Sequence, residues 1–318
     1  MISKSSQHLQ LGRLKKDFEK YRGKYQAGWD QLRKDRIARQ KKLGIIDAST
    51  ELPPRPKNVP AWDSLSDKEK DTQELMMAAY AGMIDCVDQN LGRLVEQLKA
   101  LKELDNTLIL FLSDNGACPF QRTKPPTLEK QLMPYDPKSY WTYDRGWAHA
   151  CNTPLREYKQ NQHEGGIATP MIAHWPAVIK SNANSPQGMI TGQPAHLVDI
   201  MATLLDVSQT KYPSEYQGRQ LGPLRGYSLR PVFEGKVRDP HDYLFFSFRG
   251  KNNAIRIGNW KLVNKNNEAF ELYNIATDRN ELVNMADKQP ERFKKMKSKL
   301  REISLELGAT IKQKKNRN

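Results

Sequence analysis

The stretch LDNTLILFLSDNG, residues 104–116, decides the fold class. Asp105-Asn106 is a turn pair, Leu108 to Leu112 is an unbroken apolar run, and Asp114-Asn115-Gly116 punctuates its end. A short apolar run bounded by turn signals reads as a strand covered on both faces, as a parallel sheet in an α/β fold requires. In open α/β sheets ligands bind beyond the carboxyl ends of the strands, which is where Asp114 and Asn115 stand.

Upstream lies the clearest helix, Ser66 to Leu101. Ser66 followed by Glu69 forms a capping box. Met76, Tyr80, Met83, Val87, Leu91, Leu94 and Leu98 recur at spacings of three and four, which predicts one buried stripe. Asp85 and Asp88 lie off that stripe as solvated acids. The proline-rich LPPRPKNVPAW (52–62) is an extended connection. Residues 11–42 read as a basic helix or helix pair anchored by Phe18, Tyr21, Trp29, Leu32 and Ile37.

Downstream, PMIAHW (170–175) after Gly165-Gly166 predicts a second short strand. His196 to Asp206 predicts a helix packed through Leu197, Ile200, Leu204 and Leu205. Beyond Gly235 three closely spaced strand-like segments, Tyr243–Phe248, Ala254–Val263 and Ala269–Ile275, predict an antiparallel sheet. Gln289 to Leu307 closes the chain as a helix before a basic tail. We expect an α/β part over 1–240, with 1–42 as its basic lead-in, and a small α+β part over 241–318.

The 318 residues carry a formal net charge of +15. Residues 1–42 contribute +9 and residues 291–318 contribute +7, while the remainder stands at −1. Basicity confined to two ends reads as solvated helix faces and tails, so nucleic-acid binding is unlikely as the chain's role. Three widely spaced cysteines, Cys86, Cys118 and Cys151, exclude a disulfide scaffold or a zinc ribbon. No stretch is long and apolar enough for a membrane span, and residues 1–18 lack the apolar core of a signal peptide.

An ionised Asp114 beside the amide carbonyl of Asn115 offers two oxygen ligands suited to a hard divalent cation, and Gly116 lets the chain turn away. Asn-Gly between apolar runs is equally a plain turn signal. Lys159, in Arg156-Glu157-Tyr158-Lys159, is a compact cation able to hold an anionic oxygen near a metal, or else a surface lysine. The Gly165-Gly166 pair could cradle an anion. His149, His163, His174 and His196 show no metal-ligand spacing and read as structural. The patterns Gly-x-Ser-x-Gly, GxGxxG and the phosphate-binding P-loop are absent.

Taken in order, several segments resemble the C-terminal half of the sulfatase family, especially its bacterial arylsulfatase-like branch. They are YRGKYQAGWDQLRKDRIARQKKLGIID, LPPRPKNVPAWDSL, AYAGMIDCVDQNLGRLVEQL, NTLILFLSDNGA, NTPLREYKQNQHEGGIATPMIAHWPA, HLVDIMATLLD, GYSLRPVFEGK, AIRIGNWKLV and FELYNIATDRNELVNMA, across residues 17–288. The resemblance implies a partial alkaline-phosphatase-like α/β sheet flanked by helices, with a small C-terminal α+β subdomain containing a short antiparallel sheet. It implies hydrolysis of aryl or carbohydrate sulfate esters with a divalent cation, most simply calcium. Asp114 and Asn115 match metal ligands, and Lys159 matches a lysine that contacts the sulfate. It also favours a periplasmic or secreted location.

Family members use a formylglycine made from a Cys/Ser-x-Pro-Ser-Arg motif, and none is present here. Cys118-Pro119-Phe120-Gln121-Arg122 has its proline one place early and no serine before the arginine, and Cys151-Asn152-Thr153-Pro154 fails as well. The expectation is a C-terminal portion, inactive alone, that needs a missing N-terminal half carrying the nucleophile. The competing reading is a non-catalytic remnant that binds polyanions through its basic ends.

Overall fold

A computed structural model describes residues 15–123, 125–136, 138–179 and 188–309. Residues 1–14 and the basic tail beyond 309, on which parts of the lead-in and polyanion readings fall, lie outside the described residues. The lead-in is a helix pair, α1 (Lys15–Glu19) and α2 (Gly28–Lys42). An extended segment and a single 3-10 turn (Trp62–Ser64) lead into the long α3 (Asp67–Ala100). Its capping box forms as the sequence predicts: the Ser66 side chain accepts from the Glu69 N–H, and Glu69 accepts in return from the Ser66 N–H at 2.9 Å. Then follow β1 (Ile109–Leu112), α4 (Pro125–Glu129), α5 (Arg145–Cys151), α6 (Glu164–Ile167) and β2 (Met171–His174). The chain continues with α7 (Val198–Val207), the hairpin β3 (Glu215–Tyr216) and β4 (Arg219–Gln220), and α8 (Arg230–Phe233). It ends in β5 (Leu244–Phe248), β6 (Asn252–Ile257), β7 (Trp260–Asn264), β8 (Glu271–Asn274) and α9 (Pro290–Glu306).

Among the described residues three buried clusters organise these elements, the smallest being Ala254, Val263, Tyr273 and Ile275 on the face of the β5-β6-β7-β8 sheet turned away from α9. In the largest, Trp29 of α2, Trp62 of the 3-10 turn and Trp147 of α5 meet around one point. Their ring centroids are 4.8, 5.4 and 5.6 Å apart, and two of the three pairs stand edge to face. Each indole N–H donates to a backbone carbonyl, of Pro60, Gln26 and Gln73 respectively, so the burial leaves no orphan donor here. Met76, Met77 and Ala78 of α3 and Tyr158 close this core. In the second, Ile255, Leu262 and Leu272 of the β5-β6-β7-β8 sheet pack against Met296, Leu300 and Ile303 of α9.

The structure corrects several expectations. β1 is not a doubly covered parallel strand: it pairs antiparallel with β2, Phe111 opposite Ile172, and these two side chains are 44% and 64% exposed. Among the described residues β1 and β2 form a sheet of their own. The stripe of α3 is buried only toward its amino end, and Leu94 is exposed. Asp85 is not solvated; it accepts from Lys20 at 2.7 Å, which ties α1 to α3. The buried face of α7 is Asp199, Ala202 and Thr203, whereas Leu197 and Leu204 face outward. Ala254–Val263 is two strands, because Gly258 adopts a left-handed φ of 54° and turns β6 into β7.

Candidate functional site

The turn after β1 and the loop before α6 are laced together backbone to backbone. The Lys159 N–H donates to the Ala117 carbonyl at 3.0 Å, and the Gly116 N–H donates to Gly166 at 3.0 Å. Asn152, capping the end of α5, stitches both: its amide oxygen accepts from the Ala117 N–H at 3.0 Å, and its amide nitrogen donates to the Glu157 carbonyl at 3.0 Å. So close an approach needs glycine. A Cβ on Gly116 would collide with the Gly165 carbonyl, and one on Gly165 with the carbonyls of Arg156 and Glu157. The Gly165 and Gly166 N–H groups donate to Arg156 and His163 at 2.8 Å each. They therefore serve this packing, and the anion cradle suggested by the Gly-Gly pair does not form.

The structure thus ties the Lys159 backbone to Ala117, two residues after Asn115, but Lys159 is not among the residues lining the cleft at Asp114 and Asn115. Asp114 and Asn115 line a cleft of about 1510 Å³ whose walls include Tyr80, Tyr143, Asn152 and Arg279. Asp114 is exposed, and among the described residues its carboxylate takes part in no hydrogen bond or ion pair. It can serve a cation as one of the roughly six to eight oxygens calcium takes, with Asn115 as a second. Among the described residues no three or more His, Cys, Asp and Glu side chains gather to hold a metal ion. Further donors would have to come from elsewhere.

The loop carrying Lys159 is also gripped from the four-stranded sheet, on the face turned away from α9. Lys261 of β7, fully buried, lies 2.8 Å from both Glu164 and Glu281. Burial alone would push its ammonium down, but the two carboxylates outweigh that and hold it above the usual lysine value. Burial raises Glu281, and the like charge of Glu164 adds to it. The Glu164 N–H donates to Glu281 at 2.8 Å. His163 meets Glu271 of β8 at 2.8 Å, and Arg156 donates to the Tyr273 hydroxyl and the Glu281 carbonyl. Burial raises the Glu271 carboxyl, but the His163 hydrogen bond and the Arg156 charge overturn it and set it at about 2.

The histidines read as structural have different surroundings. His149 is buried and, among the described residues, neither ring nitrogen finds a hydrogen-bond partner; burial, reinforced by Arg33 and Arg55, pushes it down to about 3. His196 tilts against Phe246, ring centroids 5.3 Å apart, and its backbone N–H donates to the buried Asp199. Asp199 also pairs with Arg238 and His241. All three cysteines are free thiols, and burial pushes the Cys151 thiol up despite Arg36 beside it, so it is no ready nucleophile.

A family model described as Sulfatase matches residues 12–210, well over half the chain. The chain belongs to the sulfatase family. A second model, N-sulphoglucosamine sulphohydrolase, C-terminal, matches residues 158–307. An uncharacterised sulfatase of Schizosaccharomyces pombe is 34% identical over 305 residues, covering 89% of this chain and 53% of the relative. An arylsulfatase of Klebsiella aerogenes is 30% identical over 229 residues, covering 69% of this chain and 48% of the relative. The chain spans about half the length of these curated relatives. Among solved structures, that of Ps i-CgsB superposes with a TM-score of 0.52 at 23% identity, covering 87% of this chain and 54% of that one. The sulfatase fold, alkaline-phosphatase-like and mixed α/β with short antiparallel sheets, is therefore that of this chain.

No described helix is long and apolar enough to cross a membrane. The sequence carries no signal for Asn152 or for the contacts of Lys261: nothing in the Asn-Thr-Pro-Leu-Arg string says that the asparagine bridges two loops.

Proposed function

We propose that this chain supplies the C-terminal part of an arylsulfatase-type sulfuric ester hydrolase site, acting on aryl or carbohydrate sulfate esters. We divide it into part of the α/β catalytic domain over 1–240 and a C-terminal subdomain over 241–318. Asp114 and Asn115 hold a divalent cation, calcium by the hardness of their oxygens. When bound, the cation supplies Lewis-acid polarisation of the sulfate oxygens. Lys159 offsets the sulfate charge as the ester oxygen departs. The observation that supports this reading is the 3.0 Å bond from the Lys159 N–H to Ala117, which ties the lysine's backbone to the chain just after the Asp114-Asn115 turn. The 30% identity to the Klebsiella aerogenes arylsulfatase supports the reaction class.

No Cys/Ser-x-Pro-Ser-Arg motif occurs in these 318 residues, so turnover requires a segment that brings the nucleophile. Phe111 and Ile172, exposed opposite each other across β1 and β2, support a covering segment, since exposed apolar side chains that meet mark association surfaces. The test is hydrolysis of an aryl sulfate in calcium, by the chain alone and by the chain joined to the amino-terminal half of the Schizosaccharomyces pombe relative. The reading expects turnover only in the joined protein, abolished by Lys159→Ala. Turnover that survives Lys159→Ala, or none in a folded joined protein, overturns it.

A further inference from the structure

We infer that Asn252 and Lys265 are positioning residues for Lys159: they hold its two flanks in a backbone conformation the loop would otherwise leave. The residues on either side of the Tyr158-Lys159 pair, Glu157 and Gln160, both adopt left-handed backbone, with φ of 66° and 75°. Neither is glycine, so each is disfavoured there and persists only where surrounding contacts impose it. Each is met by one residue more than ninety positions away in sequence, Asn252 at the start of β6 and Lys265 just after β7. The Asn252 amide nitrogen donates to the Gln160 carbonyl at 2.7 Å, a separation of 92 residues. The Lys265 ammonium donates to the Glu157 carboxylate at 2.6 Å, a separation of 108 residues.

The Asn252 amide is itself fixed, because its oxygen accepts from the Asn266 N–H at 2.6 Å. Asn252 is buried and begins β6, so its side chain sits on a rigid strand and not on a mobile loop. Between the two grips lies the Lys159 N–H, bonded to Ala117. Releasing Gln160 to an ordinary negative φ turns the peptide next to Lys159 and pulls that N–H from Ala117. The lysine then leaves the cation turn. The four-stranded sheet is in this sense part of the site, although it contributes none of the residues that would touch sulfate. The functional half of the inference rests on the reading of Lys159 as a sulfate contact; the clamp itself does not.

A strained backbone makes the test specific, because glycine tolerates a left-handed φ and needs no clamp. We would compare Asn252→Ala, Gln160→Gly and the double variant by two measurements. One is hydrogen exchange of the Lys159 amide. The other is protection of the Lys159 ammonium from acetic anhydride by inorganic sulfate with calcium present. Asn252→Ala is expected to speed the exchange and to raise the half-protecting sulfate concentration, each about tenfold. Adding Gln160→Gly restores both, even though Asn266 still lacks its acceptor and the melting temperature stays lowered. A merely structural asparagine predicts no such rescue.

Unchanged exchange in Asn252→Ala, or a double variant as impaired as the single one, overturns the clamp. Lys265→Met with Glu157→Gly repeats the comparison on the other flank should Asn252→Ala fail to fold. If the wild-type chain shows no sulfate protection at Lys159, the sulfate reading falls, and the exchange measurement still decides the clamp.

Discussion

The N–H of Lys159 and the carbonyl of Ala117 are 3.0 Å apart, and the side chain of Asn152 bonds to both of the loops they belong to. Replacing Asn152 by alanine leaves the Ala117 N–H and the Glu157 carbonyl unpaired in a packed region. A lost partner of this kind costs about 1–3 kcal/mol. We expect Asn152→Ala to lower stability by that amount in urea unfolding and, with the cation at Asp114 as proposed, to weaken calcium binding about tenfold in calorimetric titration. Asp114→Ala, with its exposed side chain, should abolish calcium binding and leave the urea midpoint unchanged.

Lys261, Glu164 and Glu281 are a buried ionic group, which the exposed Arg279 reaches at Glu164 from outside at 3.6 Å. Such clusters are poor sources of net stability, yet breaking one strands a buried charge. Lys261→Met should therefore destabilise by about 3–5 kcal/mol, measured as a shift of the urea midpoint. The triple replacement with Glu164→Gln and Glu281→Gln should recover part of that loss, because no bare carboxylate remains. No recovery in the triple variant would mean the loss comes from the packing of the Lys261 stem.

How much of this was legible in the sequence follows from the range of the interactions. The α3 capping box is set by residues three apart, and α9 by its own periodicity, so both could be read directly. The antiparallel pairing of β1 with β2 is not legible in this way. An apolar run such as Leu108–Leu112 states that it wants cover, not what covers it, and here Phe111 stands exposed beside Ile172. α7 misled for the same reason: its buried face is chosen by Asp199, which gathers Arg238, His241 and two backbone N–H groups. Asp114, Asn115 and Lys159 could be nominated from residue type and family resemblance. What joins them could not, because Asn152 acts through loop geometry and Asn252 and Lys265 act across about a hundred residues.

His149 makes an acid-sensitivity prediction. Its folded value lies at about 3 against the usual 6.5, so the unfolded chain binds the proton first as pH falls. The stabilisation present above pH 6.5 should be lost progressively between about pH 6.5 and 3, on the order of 3–5 kcal/mol in all. His149→Leu should flatten that slope in melting curves taken across the range. Glu271 acts lower: with its folded value at about 2, it contributes stability above about pH 4.5 that is lost toward pH 2. Glu271→Gln should remove that lower phase alone, worth on the order of 1–2 kcal/mol once solvent screening is allowed for.

Phe111 and Ile172 face each other across β1 and β2 on the exposed side of a sheet that, among the described residues, has two strands. A paired aromatic and β-branched residue in water is a template for association, and so is an unpaired strand edge. The chain by itself should therefore self-associate at micromolar concentration and bind a hydrophobic dye in sedimentation and fluorescence measurements. Phe111→Lys with Ile172→Thr should reduce both. It should also change the melting temperature little, because side chains 44% and 64% exposed contribute little to the core. If the amino-terminal half covers that face as proposed, the same pair of substitutions should impair activity in the joined protein. Full activity there would place the covering segment elsewhere on the chain, against α3 or α7.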